Sequence, residues 1–499
     1  MSDFLIIRTY HKVKSLYLCS KSKIYCTTYI ISSDMKKVLF LIPLLVFCLS
    51  SGAAFAQSGK AKPTREHLYR VYLTDKAGTP YSLDKPEAFL SKKALERRSR
   101  QQLTLNDTDL PVSPKYVKAV EKMGMKVVGC SKWQNTLLVA TTDSAAAEQL
   151  TALSCVKEVK RVHSYNIKEQ KLTRTTLKTT DPTTIDTSYY GKAQANITTI
   201  NGIPLHEAGY RGKGMTIAIF DGGFMNADVI PLLNNVSVLG TRDFVYPRSE
   251  DIFAETDHGT MVLACMGANQ PGRIVGTAPE ASFYLLHTEE GPYESWAEED
   301  FWTMAAEYAD SLGVDIINSS LGYNTFDDKA QNYRRQDLNG RTAFISRTAS
   351  MLADKGMLLC NSAGNSGSGT WKKIGVPADA TDILAVGALT PKRNNASFSS
   401  VGPSHDGRVK PDVMSLGAPA TVIGGNGAVQ GANGTSFASP VLCGMVACLW
   451  QALPHLTARQ IMALVRQTAN NADDPDNVFG YGIADFEKAL QAGRNAATR

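Results

Sequence analysis

Four polar side chains belong to the residue types that carry out nucleophilic catalysis: Asp221, His258, Asn365 and Ser436. A serine hydroxyl is a poor nucleophile until a base removes its proton, and an imidazole can do so near neutral pH. A carboxylate can orient that imidazole and stabilise its charged form, and an amide donor can hold the oxyanion formed on attack at a carbonyl. Together the four residue types favour nucleophilic attack on a carbonyl.

The stretch around Ser436 predicts a hydroxyl presented at the start of a helix. Gly431 and Gly434 allow tight turns and leave space for another molecule to approach. Pro440 is expected in the first helical turn, where a missing N–H group costs nothing. Residues 441–450 are apolar with small residues interleaved, which predicts a closely packed helix. The helix dipole would favour negative charge beside Ser436, although an ordinary helix cap is the alternative interpretation.

The other three residues also stand at the ends of predicted elements. Asp221 directly follows an apolar strand at 215–220, and His258 directly precedes a small-residue helix at 261–267. Asn365 follows another strand, in a loop rich in Gly and Ser. Taken singly, these residues can equally be a turn aspartate, a capping or core histidine, and a loop asparagine.

Short apolar runs alternate with helical patterns in the carboxyl-terminal part of the chain. Such runs are typical of parallel strands buried on both faces, and helical patterns at 298–311 and 341–354 lie between them. The fold class is therefore α/β, with a doubly wound, mostly parallel sheet whose functional groups gather beyond the carboxyl ends of the strands. The predicted strands span residues 215–220, 282–286, 315–319, 357–360 and 383–387.

The preceding part of the chain predicts a small α+β domain at 57–166, rich in lysine and arginine. Residues 167–188 contain many Thr and Lys and lack apolar periodicity, so we expect a linker that is accessible to a protease and carries a processing site. The remaining domain spans 189–499. Within the small domain, strands are predicted at 67–73, 125–129, 136–141 and 156–162, and helices at 86–100, 114–123 and 144–153.

A targeting sequence is predicted at residues 35–56. Lys36 and Lys37 precede an apolar run, and small residues end at Ala56, a pattern typical of a secretory signal peptide. Residues 1–34 then form an upstream extension or reflect a misassigned start, with translation beginning at Met35. An uncleaved membrane anchor is the alternative, but the apolar run is short for a span. We expect export, to the periplasm or to the extracellular medium.

The composition is that of an ordinary globular chain. The 499 residues include 43% hydrophobic and 20% charged residues, with a net charge of +6. The basic residues are spread out and are not interleaved with aromatic residues, so we expect no nucleic-acid partner. We also expect no membrane contact beyond export, and a monomer. The nine cysteines form no dense framework, which leaves buried free thiols or a single disulfide as interpretations.

The motifs around the polar residues resemble those of the subtilase family of subtilisin-like serine endopeptidases. Residues 189–490 contain three signatures in order: Ile-Phe-Asp-Gly-Gly at 219–223, Asp-His-Gly-Thr at 257–260 and Gly-Thr-Ser-Phe-Ala-Ser-Pro at 434–440. Supporting matches are Gly-Thr-Ala-Pro at 276–279, Ile-Asn-Ser-Ser-Leu-Gly at 317–322, Ala-Gly-Asn at 363–365 and Ala-Ser-Phe-Ser-Ser-Val-Gly-Pro at 396–403.

The resemblance implies a role for each residue that matches a motif. Asp221 would orient His258, which would act as general base and then acid, and Ser436 would form the acyl-enzyme. The side chain of Asn365 would donate to the oxyanion beside the backbone N–H of Ser436. An extended substrate would pair with one segment by strand addition, and a second segment would wall the pocket for the side chain before the scissile bond. These segments are Ser320, Leu321 and Gly322, and Ser362, Ala363 and Gly364, respectively.

The function implied by the resemblance is that of a secreted serine endopeptidase made as an autoprocessed zymogen. Its partners would be protein or peptide substrates and its own propeptide, the role implied for the α+β domain. One alternative is a catalytically silent binding module with the same fold, which predicts a damaged triad. Another is a hydrolase such as an esterase, which predicts Gly-x-Ser-x-Gly around the nucleophile, whereas this chain has Gly-Thr-Ser-Phe-Ala.

No cofactor is required for this chemistry, and metal ligands stay unassigned. A structural calcium ion is an open alternative, because Ile230 stands roughly where relatives carry a calcium-binding aspartate. Asp228 and the Asn269-Gln270 loop could still offer oxygen atoms. Other departures from the family pattern are Gly222, Met261 and Phe437, none of which is a reacting group.

Overall fold

The computed structural model of the chain describes residues 65–166, 173–177, 185–249, 251–291 and 293–497. The predicted upstream extension, the signal peptide at 35–56 and most of the linker lie outside these described residues. Two regions follow one another in the described part, an amino-terminal region at 65–166 and a carboxyl-terminal region at 185–497.

The amino-terminal region is a four-stranded antiparallel sheet with strand order β2-β3-β1-β4 and three α-helices. The predicted α+β arrangement is thereby confirmed. Its strands are β1 (Arg65–Leu73), β2 (Lys126–Ser131), β3 (Thr136–Thr141) and β4 (Val156–Asn166), and its helices are α1 (Lys92–Arg100), α2 (Pro114–Glu121) and α3 (Ser144–Gln149).

All three helices predicted in this region are shorter in the structure than their patterns. The helix predicted at 86–100 is a 3₁₀ turn at Pro86–Ala88 followed by α1. The break falls at Ser91, whose side chain accepts a hydrogen bond from the N–H of Ala94 and so caps a new helix. The capping side chain of Ser91 thus divides the predicted helix into a 3₁₀ turn and α1.

The carboxyl-terminal region contains a seven-stranded parallel sheet with strand order β13-β12-β11-β10-β5-β9-β6 and two small hairpins, β7-β8 and β14-β15. The predicted doubly wound α/β fold is confirmed. The strands are β5 (Thr216–Asp221), β6 (Ser237–Asp243), β7 (Asn269–Gln270), β8 (Ile274–Val275), β9 (Ser282–His287), β10 (Ile316–Ser319), β11 (Leu358–Ser362), β12 (Leu384–Leu389), β13 (Val413–Leu416), β14 (Ala420–Ile423) and β15 (Val429–Ala432).

Helices cover both faces of the parallel sheet. One core cluster lies between the sheet and the helices α6, α9 and α10, and the other lies between the sheet, α7 and the amino-terminal sheet, which contributes Leu68, Trp133 and Val162. The helices are α4 (Gln194–Thr198), α5 (Ile203–Glu207), α6 (His258–Gly267), α7 (Ala297–Leu312), α8 (Phe344–Met351), α9 (Thr435–Ala452), α10 (Ala458–Gln467) and α11 (Phe486–Ala497).

The sequence patterns missed the two edge strands of this sheet, β6 and β13. Strand β6 is largely exposed and carries Thr241, Arg242 and Asp243, so it lacks the continuous apolar run expected of a buried parallel strand. Strand β13 is buried but has only four residues, too few for a period to be visible. Both strands are recognisable only from their pairing with β9 and β12.

Buried ion pairs join the two regions. Asp310 on α7 is fully buried and pairs with Arg97 and Arg98 on α1, whose exposed fractions are 0% and 3%. Arg98 pairs additionally with Asp109 at 3.0 Å. Charges that are buried this deeply are tolerated because each one has opposite charges and hydrogen bonds around it. The docking of the amino-terminal region therefore depends on complete pairing.

We predict that Asp310→Ala weakens this docking strongly, because it leaves two buried guanidinium groups without their shared carboxylate. The expected loss is about 3–5 kcal/mol in the free energy of unfolding of the full chain, measured by urea denaturation. Glu96→Ala is the matched control, since Glu96 forms an exposed pair with Lys92 and should contribute less than about 1 kcal/mol. Equal effects of the two substitutions would contradict this account.

Candidate active site

The predicted site residues lie at the carboxyl edge of the parallel sheet. Strand β5 ends at Asp221, β10 at Ser319 and β11 at Ser362. Two helices begin at the same edge, α6 with His258 and α9 with Thr435. Parallel strands present all their carboxyl ends on one side, so elements far apart in sequence meet there.

Asp221 and His258 are hydrogen-bonded to each other. Nδ1 of His258 donates to Oδ1 of Asp221 at 2.8 Å, and the N–H of Gly222 donates to the same oxygen at 2.9 Å. Asp221 is fully buried, whereas 31% of the His258 side chain is exposed. Because an ionised carboxylate only accepts, the proton of a neutral His258 is assigned to Nδ1, which leaves Nε2 as an acceptor.

The surroundings of His258 favour its charged form. Burial alone would lower the pKa of this imidazole, but the charge and hydrogen bond of Asp221, followed by the charges of Glu289 and Asp257, raise it to about 9. The ring also packs against Phe437, with 5.5 Å between ring centroids. His258 is thus held on one side by a carboxylate and on the other by the residue that follows Ser436.

Ser436 is the second residue of α9 and is buried, with its hydroxyl donating to the backbone carbonyl of Ser320 at 3.2 Å. Pro440 lies inside α9 and not in its first turn, so that expectation was wrong. A proline at this position cannot donate to the carbonyl of Ser436, four residues earlier. The hydroxyl of Ser320 donates to that carbonyl instead, at 2.7 Å.

A chain of polar side chains supports this pair of serines from β10. The side-chain amide of Asn318 donates to the hydroxyl of Ser320 at 3.0 Å, and the hydroxyl of Ser439 donates to Oδ1 of Asn318 at 2.9 Å. Asn318 and Ser439 are fully buried. The first turn of α9 is therefore fixed to the end of β10 by satisfied, buried hydrogen bonds.

Asn365 is exposed, and its carbonyl oxygen is held by Thr435. Oδ1 accepts from both the N–H and the hydroxyl of Thr435 at 2.9 Å, and the same hydroxyl accepts from the N–H of Gly364 at 3.1 Å. This assignment of the amide leaves its NH₂ group without a partner among the described residues. Asn365 thus lies beside the start of α9, and its NH₂ group is available to donate a hydrogen bond.

The two predicted substrate-binding segments lie next to each other. Ser320, Leu321 and Gly322 follow β10, and the carbonyl of Leu321 accepts from the hydroxyl of Ser362 at 3.3 Å. Ala363 is bonded to the neighbouring strand β12 through Val386. Gly364 has φ of +105°, a backbone conformation that glycine adopts without strain.

The oxygen atoms considered for calcium have other partners. Both carboxylate oxygens of Asp228 accept from Arg174 at 2.9 Å, and Arg174 also pairs with Asp251 at 2.7 Å. Ile230 is buried in an apolar cluster. A guanidinium group therefore neutralises Asp228, and a calcium ion at this place stays an untested prediction. The described cysteines, Cys130, Cys155, Cys265, Cys360, Cys443 and Cys448, are free thiols.

The structure also brings residues to this edge that the sequence patterns did not single out. Glu289 follows β9 directly after Thr288, and a Cβ atom on Gly222 would stand 3.1 Å from its Oε2. One oxygen each from Glu289, Glu294 and Glu298 lie within 4.8 Å of one another. The position of Glu289 just past a parallel strand is the signal that could have identified it.

Comparisons with known proteins agree with this architecture. Residues 212–482 match the subtilase family, peptidase S8, and residues 68–178 match the peptidase S8 propeptide domain of Bacteroidota. Subtilisin DY of Bacillus licheniformis is 30% identical over 303 residues, which cover 58% of this chain and 98% of that protein. Subtilisin NAT of Bacillus subtilis subsp. natto is 30% identical over 301 residues, with 59% and 70% covered.

A more distant relative is the membrane-bound transcription factor site-1 protease of Rattus norvegicus, 28% identical over 260 residues, which cover 50% of this chain and 22% of that protein. The chain belongs to the subtilase family. It is a serine endopeptidase made as a zymogen, and its amino-terminal region is a propeptide. Its substrates are therefore proteins, and its own propeptide is a further partner.

We predict that His258 titrates near pH 9 and that Asp221→Asn lowers its pKa, because the largest charge that raises it is removed while burial remains. Histidine NMR over pH 5–10 would measure both values. His67 is the internal reference, since it lies in the amino-terminal region and is hydrogen-bonded to Ser164 instead of Asp221. An unchanged pKa of His258 in the variant would show that Asp221 does not set it.

Proposed function

We propose that this protein is an exported endopeptidase that cleaves peptide bonds through an acyl-enzyme on Ser436. The observation that carries the proposal is the Asp221–His258 hydrogen bond at the sheet edge where the helix bearing Ser436 begins. The lysine pair and the apolar run of residues 35–56 support export, to the periplasm or beyond. We propose a monomer that needs no cofactor for its chemistry.

The first step is attack by Oγ of Ser436 on the substrate carbonyl, while Nε2 of His258 takes the hydroxyl proton. Asp221 holds the imidazole in the required tautomer and stabilises the imidazolium that forms. The alkaline pKa of His258 is consistent with this stabilisation. His258 then gives the proton to the leaving amine, and water attacks the acyl-enzyme in the reverse sequence of proton transfers.

The oxyanion formed on attack would accept from the NH₂ group of Asn365 and from the backbone N–H of Ser436. Thr435 fixes the amide of Asn365 through its carbonyl oxygen, so the donor is oriented before the substrate arrives. A preorganised donor of this kind needs no rearrangement as charge develops. The substrate backbone would lie along Ser320, Leu321 and Gly322, and Ser362, Ala363 and Gly364 would wall the pocket before the scissile bond.

In the zymogen the hydroxyl of Ser436 donates to the carbonyl of Ser320 and not to His258. We propose that the propeptide is removed by cleavage in the linker at 167–188, carried out by the enzyme itself. Arg174, paired with Asp228 and Asp251, would fasten the segment around it to the catalytic domain.

The proposal is tested by expressing the full chain as the Ser436→Ala variant. Wild type should yield a mature protein that begins within the linker, and the variant should keep the propeptide attached, because the nucleophile is missing. Amino-terminal sequencing and intact mass measure both. Ser237→Ala is the control, since Ser237 is an exposed residue of β6 whose hydroxyl bonds to that of Ser282, away from α9. Normal maturation of Ser436→Ala in the absence of any other protease would refute self-processing.

We predict that Asn365→Asp and Asn365→Ala each lower kcat by about 10²-fold or more, because both remove the NH₂ donor to the oxyanion. Asn365→Asp keeps an acceptor for Thr435, so its thermal unfolding should stay closer to wild type. Steady-state hydrolysis of one peptide substrate and thermal denaturation separate the two effects. A loss of kcat confined to the less stable variant would mean that Asn365 acts only through the structure.

A further inference from the structure

Three glutamates beside the proposed triad form an acidic cluster, Glu289, Glu294 and Glu298. One carboxylate oxygen from each lies within 4.8 Å of the others. Glu298 is buried in the first turn of α7, where it accepts from the N–H groups of Glu290 and Ser295 at 3.0 Å. Among the described residues, no lysine or arginine forms an ion pair with any of the three. In this part of the chain the three carboxyl groups therefore lack a fixed cationic partner.

A buried hydroxyl lies close enough to feel the charges of the same cluster. Tyr323 is 2% exposed, and its phenolic oxygen has no hydrogen-bond partner among the described residues. Burial raises the pKa of this phenol most, and the charges of Glu298, Glu289 and Glu294 raise it further. An unpaired polar group at this depth is costly unless a ligand supplies its partner. Tyr323 and the three glutamates together form a site that a cationic hydrogen-bond donor would complete.

The cluster adjoins the proposed substrate path at both ends. Glu289 lies beside Gly222, next to Asp221, and its charge contributes to the raised pKa of His258. Tyr323 directly follows Gly322, in the segment along which the substrate would lie. A side chain projecting from a bound substrate near the scissile bond can reach carboxylates placed between these two points.

The propeptide approaches the cluster at the end of β4. The carbonyl of Val162 accepts from the side chain of Gln331 at 3.0 Å, and the ring of His163 packs against Tyr293, the neighbour of Glu294, with 5.6 Å between centroids. A cavity at this junction is lined by Arg65 and Arg161 of the propeptide and by Glu294. Basic side chains of the propeptide therefore line the same cavity as Glu294.

The sequence that follows β4 has the complementary charge. Lys168 and Lys171 are the second and fifth residues after Asn166, at the start of the linker that we propose is cut. Since β4 precedes that linker, the acidic cluster lies on the amino-terminal side of the bond to be cleaved. The linker sequence thus carries two lysines within five residues of the strand that approaches the cluster.

We propose that Glu289, Glu294 and Glu298, with Tyr323, bind the lysine or arginine side chain of a protein substrate on the amino-terminal side of the scissile bond. This proposal rests on the proposed function of Ser436. A lysine ammonium offers three donors, enough to bond two carboxylates and the phenol. Burial raises the pKa of Glu289 most, and the charges of Glu294 and Asp221 bring it to about 8. A bound cation would relieve this repulsion.

A substrate cation fits these residues better than a divalent metal ion. Calcium takes six to eight oxygen ligands, and the cluster supplies three carboxylates, one of which already accepts two backbone N–H groups. Glu294 is exposed, so the cluster opens toward solvent, where a peptide side chain can enter. Calcium binding at the cluster would therefore contradict the proposal.

The test uses the mature enzyme and matched fluorogenic peptides that carry lysine or its uncharged analogue norleucine at the second, third or fourth residue before the scissile bond. We expect kcat/KM to be about tenfold to a hundredfold higher for lysine at one of these positions, as for a charge-assisted hydrogen bond. Glu289→Gln/Glu294→Gln should reduce that ratio to within about twofold. The control Glu207→Gln, an equal change of charge on the exposed side of α5, should leave the ratio unchanged.

A second variant keeps the proposal testable if the first variant fails to fold. Glu294→Lys changes only an exposed side chain, and it should reverse the preference so that glutamate is favoured over lysine at the same position. An unaltered lysine preference in these variants would overturn the proposal. The proposal would also be overturned if wild type showed no preference for lysine and if calcium raised its Tm. In that case the rise in Tm should be absent in Glu289→Gln/Glu294→Gln. Normal labelling of Ser436 by a fluorophosphonate in each variant would show that the failure concerns the acidic cluster and not the proposed catalytic function.

Discussion

The active-site edge depends on a reciprocal pair of hydrogen bonds between Ser320 and Ser436. Each hydroxyl donates to the backbone carbonyl of the other residue, at 2.7 and 3.2 Å. The need arises from Pro440, which cannot complete the helical bond to Ser436. The end of β10 supplies the missing donor, so the start of α9 is fixed relative to the sheet and not only relative to its own helix. Because β10 pairs in register with β5, the same contact fixes Ser436 relative to Asp221.

Helix α7 connects this edge with the propeptide. Near its carboxyl end, Asp310 pairs with Arg97 and Arg98, and Glu307 accepts from the N–H groups of Lys132 and Trp133 at 2.8 and 2.9 Å. In its first turn the same helix holds Glu298 of the acidic cluster. One rigid element thus carries both the docking surface for the propeptide and a wall of the proposed pocket for basic side chains.

The proteolytic zymogen and its fold could be predicted from the sequence, because apolar runs and catalytic motifs are local signals. The bounds of strands β5, β9, β10, β11 and β12 each lie within two residues of the predicted ones. The roles assigned to Asp221, His258, Asn365 and Ser436 stay proposals, supported by the contacts that bring these residues to one edge. Export from residues 35–56 likewise stays a prediction.

Other features depend on partners that are distant in sequence. Ser320 was expected to contribute backbone to substrate binding, and its hydroxyl bond to Ser436 could not be read from its own motif. Pro440 was expected in a first turn because a missing N–H group costs nothing there, whereas α9 begins five residues earlier, at Thr435. The exposed edge strand β6 lacked an apolar pattern. The rule that functional groups gather at strand ends could have identified Glu289. Glu298, in contrast, looks like any acidic residue in the first turn of a helix.

The central claim is that Ser436, His258 and Asn365 converge on one substrate carbonyl. A crystal structure of the mature enzyme with a peptidyl boronic acid tests it most directly, because the tetrahedral boronate mimics the intermediate. We predict boron bonded to Oγ of Ser436, with one boronate oxygen within hydrogen-bond distance of the NH₂ group of Asn365 and the N–H of Ser436, and the other facing Nε2 of His258. A boronate bonded elsewhere, or one whose oxygens touch neither Asn365 nor His258, would contradict the account.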